Sequence, residues 1–252
     1  MKAFTSLLLF VAVCFGNISC RIEIADSEAK QARATGKMVS IEKDLADFHA
    51  IEAQQAIQVV YVQQAGPAKV VVQIRESLVP HLDIHVDDGE LSIGYKDLKS
   101  VNGNWQTRVT VYAPSVDDFK AASAASIRVE GCLHVADEAE LDVSSAAEIY
   151  IDSIAARRVE IDASSAASIK LDYIVNSEYV AADASSGASV TLGGKTVNVS
   201  LEASSGADIA ADRLQAATGM AAASSGADIT SRIHSQQAVR SSSGGNVDNR
   251  ND

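Results

Sequence analysis

Val159-Glu160-Ile161-Asp162-Ala163-Ser164-Ser165-Ala166-Ala167-Ser168-Ile169-Lys170-Leu171 is the stretch that decides the fold. Apolar residues alternate with polar ones through Val159, Ile161 and Ala163, and again through Ala167, Ile169 and Leu171. A period of two means β-strands with one buried and one wet face, whereas helices would space their apolar residues by three and four. Between the two arms lie Ser164-Ser165-Ala166, small residues that fit a tight corner.

The phrase returns. Copies start at Ala122, Ser144, Ser164, Ser185, Ser204, Ser224 and Ser242, with spacings of 22, 20, 21, 19, 20 and 18. A fixed period on this scale is a stack of one supersecondary unit. The class expected is all-β: a right-handed single-stranded parallel β-helix with coils of about 20 residues stacked about 4.8 Å apart. Ala163, Ala184, Ala203 and Ala223 are predicted to form an inward ladder, and Ser145, Ser165, Ser186, Ser205 and Ser225 a second one. Ile154, Ile174 and Leu214, ten residues after their copies begin, are predicted to line a third side.

Upstream the chain is richer in large residues. Strands are expected at Ile57 to Val62, Val70 to Ile74, His81 to Val86, Glu90 to Tyr95 and Trp105 to Tyr112, separated by Gly66-Pro67 and Asp87-Asp88-Gly89. The organisation expected is a signal over 1–20, a tether over 21–40, an irregular β-rich part over 41–121, solenoid repeats over 122–247 and a frayed tail over 248–252.

The N-terminus is an address. Lys2, the apolar run Phe4 to Phe15, and then Gly16-Asn17-Ile18-Ser19-Cys20 form a secretory signal too short to span a bilayer. Ile18-Ser19-Cys20 resembles a lipobox, so Cys20 is the expected lipidation site, and several acyl chains there would anchor the protein firmly. Cys132 is then the one thiol left in the mature chain. A net charge of -12 over 252 residues excludes nucleic acid as a partner, because nothing could neutralise a run of phosphates.

Taken together, Phe48-His49-Ala50-Ile51, Val70 to Ile74, Leu78 to Ile93 and the Ser-Ser-Gly-Ala-Asp copies resemble a bacterial family, the putative auto-transporter adhesin, head GIN domain, common in Bacteroidetes. The resemblance covers about 45–247. It implies a secreted or lipid-anchored envelope protein with a single-stranded β-helix fold. No membrane β-strand set is visible at the C-terminus, so self-translocation is not expected.

Signatures of chemistry are few. No phosphate loop, Cys-x-x-Cys pair, His-Glu-x-x-His or Gly-x-Ser-x-Gly is present. His81-x-Asp83-x-His85 would set three polar side chains on one strand face, a geometry open to Zn²⁺, against the simpler reading of a solvated face. Asp142, Asp162, Asp183 and Glu202 each lie two residues before a serine pair and are predicted to stack outward. No cofactor is expected. Ca²⁺ is the ion such a column would suit, against the simpler reading of a solvated acidic ladder.

The reading is a non-enzymatic cell-envelope protein, an adhesin or envelope scaffold presenting a rigid β-solenoid surface. It is expected to be secreted across the inner membrane and held at the outer membrane through Cys20, with an envelope glycan or protein as ligand. The alternative is a polysaccharide lyase or glycosidase, which needs paired carboxylates flanking one bond and usually aromatic platforms.

Overall fold

The structure is a computed structural model that describes residues 30–103 and 105–250. The signal, Cys20 and residues 21–29 of the expected tether lie outside these residues. The strands are β1 Lys30–Arg33, β2 Met38–Asp44, β3 Ala50–Ala53, β4 Gln58–Gln63, β5 Lys69–Arg75, β6 Leu82–Asp87, β7 Glu90–Tyr95, β8 Leu98–Asn102 and β9 Arg108–Ala113. They continue as β10 Asp118–Ala121, β11 Ser126–His134, β12 Glu138–Val143, β13 Glu148–Ala155, β14 Arg158–Ala163, β15 Ser168–Ala184, β16 Ser189–Ala203, β17 Asp208–Ser224, β18 Asp228–Ser242 and β19 Asn246–Asn249.

From β10 onward the strands pair parallel with the strands about one repeat away. Ala121 sits opposite Val143, Val143 opposite Ala163, Ala163 opposite Ala184, Ala184 opposite Ala203 and Ala203 opposite Ala223. This is the expected β-solenoid. The inward ladder Ala163, Ala184, Ala203 and Ala223 is buried, and so are Ile154, Ile174 and Leu214 on the third side. Gly194 stands in that third-side column, between Ile174 and Leu214, where a Cβ would meet the Ile174 backbone oxygen at 2.2 Å.

The second serines do not point inward. Ser145, Ser165, Ser186, Ser205 and Ser225 are exposed, each with a positive φ between 52° and 57°. The residue after each is also left-handed: Ala146, Ala166, Gly187, Gly206 and Gly226. A bond from Ala147 N to Ser144 O closes the turn, and the pattern repeats at each corner down to Gly245 and Ser242. Two consecutive left-handed residues lift the tip out of the pleat, so strict alternation holds along each arm but not through the corner. The corners stack by backbone: the Ala146 and Gly187 amides donate to the carbonyls of Ser165 and Ser205 in the next coil.

The expected boundary at residue 122 has no counterpart in the sheet. β3 and β4 already form a coil, with Gln55 and Ala56 at φ 58° and 55° in the corner. Their neighbours on one side are β10 and β11, and on the other β7 and β9. Residues 64–117 are therefore an excursion between the first coil and the second. Beyond β7 and β9 the pairing turns antiparallel, with β6 on β7, β5 on β9 and β2 on β5.

That change of direction caps the stack. It buries Leu78, Ile74, Val70 and Leu91, the larger residues whose concentration sets this half of the sequence apart. Tyr61 meets Phe119 edge-on at 5.5 Å between ring centroids, and Tyr95 meets Trp105 at 6.3 Å.

Two segments expected to lack structure are ordered. Within 21–40, Lys30–Arg33 pairs with β8, and Met38–Asp44 pairs with β5, turning Val39 and Ile41 toward the core. At the far end β19 pairs with the start of β18. There the Asn249 side chain bonds both the Ile233 N–H and the Ile233 carbonyl, which holds the beginning of the expected tail in place.

Candidate functional site

Parallel in-register stacking turns a sequence position into a column. Two residues before each corner the column runs Glu52, Lys120, Asp142, Asp162, Asp183, Glu202, Ala222 and Arg240. The four predicted carboxylates thus stand on consecutive coils, about 4.8 Å apart along the stack. Lys120 precedes them, and Arg240 follows after Ala222. Sequence reasoning found the four acids and missed the two cations, which stand at the same offset before the first and last copies, at Ala122 and Ser242, where the repeated letters are least regular.

Beside this column lies the column of first serines, Ser144, Ser164, Ser185, Ser204 and Ser224. The two columns border a groove of about 730 Å³ whose floor is Val143, Ala163, Ala184, Ala203 and Ala223.

The electrostatics follow from crowding. Burial first, then Asp162 and Asp118, push the Asp142 carboxyl above its ordinary range. Burial first, then Glu202 and Asp162, do the same to Asp183. Lys120 relieves the upper end. Its ammonium lies 2.8 Å from Asp118 and 3.1 Å from Glu90, and the Asp118 bond leads the causes that hold it charged well above the ordinary lysine value. The other Asp118 oxygen is buried without a hydrogen bond.

No group of three His, Cys, Asp or Glu among the described residues is arranged to hold a metal ion. The expected His81-Asp83-His85 triplet does not lie wholly on one strand. His81 is the last residue of a 3-10 turn, Glu76–His81, that runs through Pro80, so it precedes the strand. Asp83 and His85 do share a face of β6, with 3.3 Å between them, as an exposed pair. In the acidic column the strand pairing spaces the carboxylates in a line, one per coil, instead of gathering them around a point.

The opposite arm is charge-balanced. Arg128 lies over the Tyr150 ring at 4.2 Å and Lys170 at 5.0 Å on its other neighbouring coil. The Tyr150 hydroxyl donates to Asp172, which also faces Lys170 and Arg213. Cys132 is exposed and free.

Comparison with known proteins gives two kinds of likeness. The family model described as "Putative auto-transporter adhesin, head GIN domain" matches residues 47–252. Among solved structures, a "putative adhesin" from Parabacteroides merdae superposes with a TM-score of 0.75 at 15% identity, over 87% of this chain and 99% of that one. A "putative lipid binding protein" from Parabacteroides distasonis gives 0.78 at 15% identity, over 88% and 100%. A "putative adhesin" from the same species gives 0.72 at 19% identity, over 87% and 100%. At these identities the structures speak for the fold. No curated protein matches.

Proposed function

The chain belongs to the family described as putative auto-transporter adhesin, head GIN domain, and from that membership we propose a non-enzymatic, adhesin-like protein of the cell envelope whose contact surface is the acidic groove. The observation that carries this reading is the register of Asp142, Asp162, Asp183 and Glu202 along one open groove. A rigid row of like charges at coil spacing suits an extended basic ligand, such as a lysine- or arginine-rich segment of another envelope protein. Each cation that settles there relieves repulsion built into the fold.

An adhesin must be held at the surface it serves. Acylation of Cys20 would supply that anchor, with outer-membrane placement following from it. The enzymatic alternative is weaker. The residues lining the groove include no aromatic ring on which a sugar would stack, and its carboxylates form one row, whereas a glycosidase sets two of them across a scissile bond.

The test is binding of the purified protein to immobilised basic peptide across a salt series. The wild type should bind at low salt and release as ionic strength rises. A variant carrying Asp142→Asn, Asp162→Asn, Asp183→Asn and Glu202→Gln should lose most of that binding while melting no lower than the wild type. Equal binding by the two proteins would place the contact surface elsewhere.

A further inference from the structure

A second, oppositely charged site lies on the N-terminal cap. The outward side chains of four neighbouring strands, β2, β5, β9 and β4, meet there with one loop residue to form a cup of about 240 Å³ lined by Met38, Gln58, Gln73, Arg75, Gln106 and Arg108. Register fixes the arrangement. Gln73 and Gln58 flank Arg108 on its two neighbouring strands, and Met38 stands opposite Arg75. Arg75 is two residues beyond Gln73, so the two guanidinium groups sit diagonally across the β5–β9 pair, within mutual reach of one small ligand.

The charge pattern sets this cup apart. In the stacked coils Arg128, Arg157, Arg158, Arg213 and Arg250 each face a carboxylate within 4 Å, while Arg240, which does not, stands at the end of the acidic groove, and Arg232 has no ion pair among the described residues. Arg75 instead donates to the Gly36 carbonyl, and no carboxylate is among the lining residues of the cup. Neither Arg75 nor Arg108 has a carboxylate partner among the described residues, so two positive charges lie close together here in a protein of net charge -12.

We propose that this cup binds the carboxylate-bearing ring of an acidic saccharide, a uronate unit of a glycan chain. A planar carboxylate matches the two-pronged guanidinium donor. Three carboxamides, each both donor and acceptor, suit the ring hydroxyls. Met38, 47% exposed, offers an apolar surface to the C–H face of the ring. The volume fits one sugar unit, smaller than a drug-sized pocket. The site shares no residue with the acidic groove and stands or falls independently of it.

The experiment is calorimetric titration of the purified full chain with trigalacturonate, with neutral galactotriose and with sodium sulfate. Trigalacturonate should bind, galactotriose about tenfold or more weakly, and Arg75→Gln/Arg108→Gln should lower trigalacturonate affinity by about tenfold or more. Gln106→Ala, in the loop and outside the strand ladder, should cost a few-fold, which separates recognition of hydroxyls from charge. Unaltered melting of the exposed-residue variants establishes that their fold is retained. Three results would overturn the proposal: no trigalacturonate binding by the wild type, undiminished binding by the double arginine variant, or sulfate binding as tightly as trigalacturonate, which would make the cup a simple anion site.

Discussion

Lys120 is the register partner of Asp142, yet its ammonium turns away along the strand to bind Asp118 and Glu90. The first cation of the acidic column is therefore engaged by its own strand and by the cap, and Asp142 meets Asp162 below it without a direct ion pair. Lys120→Met should leave Asp118, already short of one hydrogen bond, next to Glu90 and Asp142 with no counter-charge. The expected loss is about 1–2 kcal/mol, reduced from the fully buried case because Lys120 is 37% exposed. Urea melts of this variant and of Lys120→Arg, which should recover most of the loss, check it.

The carboxylate column makes stability depend on pH in a defined direction. Asp142 and Asp183 have folded-state values raised above those of the unfolded chain, so the fold binds protons more tightly there. Their contribution is fully present below the ordinary carboxylate range and is lost as pH rises through the raised values. Asp137 and Asp172 work the other way, held low chiefly by Arg157 and by the Tyr150 hydroxyl, so their contribution is lost as pH falls below the ordinary range. Asp142→Asn/Asp183→Asn should flatten the decline that sets in above the ordinary carboxylate range. At pH 7 it should be more stable than the wild type by several tenths to about 1 kcal/mol. Parallel stability curves for the two proteins would contradict this.

The corners allow a clean backbone experiment. A Cβ added at Gly206, φ 71°, would meet nothing within 4 Å, so Gly206→Ala tests conformation alone. It should destabilise by about 1 kcal/mol. Ala146, at φ 59° in an equivalent corner, should give the mirror result, with Ala146→Gly stabilising by a similar or smaller amount. The pair of melts is informative because the signs are opposite.

Ala203→Leu should overpack the inward ladder between Ala184 and Ala223 and cost about 1–3 kcal/mol. Lys170, outward by alternation, is not a silent control, since it faces Asp172 and the Tyr150 ring. Exposed Lys195 serves instead, with Lys195→Ala within about 0.5 kcal/mol of wild type.

Anchoring is tested in cells. The protein made in a Gram-negative host should incorporate labelled palmitate and partition into detergent, and Cys20→Ala should abolish both. An unacylated mature N-terminus beyond residue 20 would show that Cys20 is not the anchor.

Most of the coil stack was legible because like stands on like. Ala163, Ala184, Ala203 and Ala223 recur at one offset from the corner, and that offset alone gives their burial and their register. The corner at Gln54-Gln55-Ala56 was not legible. It has the same two left-handed residues as Ser145-Ala146 but shares only the alanine, with Gln54-Gln55 standing where the repeats carry the serine pair. The second serines misled because alternation carries no information about φ. β2 left a faint trace in Val39 and Ile41, too short to distinguish from a tether. The arginine cup could not be seen at all, since Arg75 and Arg108 are brought together only by the antiparallel pairing of β5 with β9.

The excursion of residues 64–117 also sets the order in which the molecule can assemble. Ala184 finds Ala203 by closing a loop of 19 residues, whereas Ala53 must find Ala121 across 68. The longer closure costs about 1 kcal/mol more in chain entropy before any contact repays it. It also has to wait for β5 to β9 to take their places on the other side of the first coil. Coil closure in the repeats is local and should be fast, while the longer closures that join the cap to the stack should come later. A chain emerging N-terminus first would therefore present the segment with the longest closures before the coils that will hold it in place.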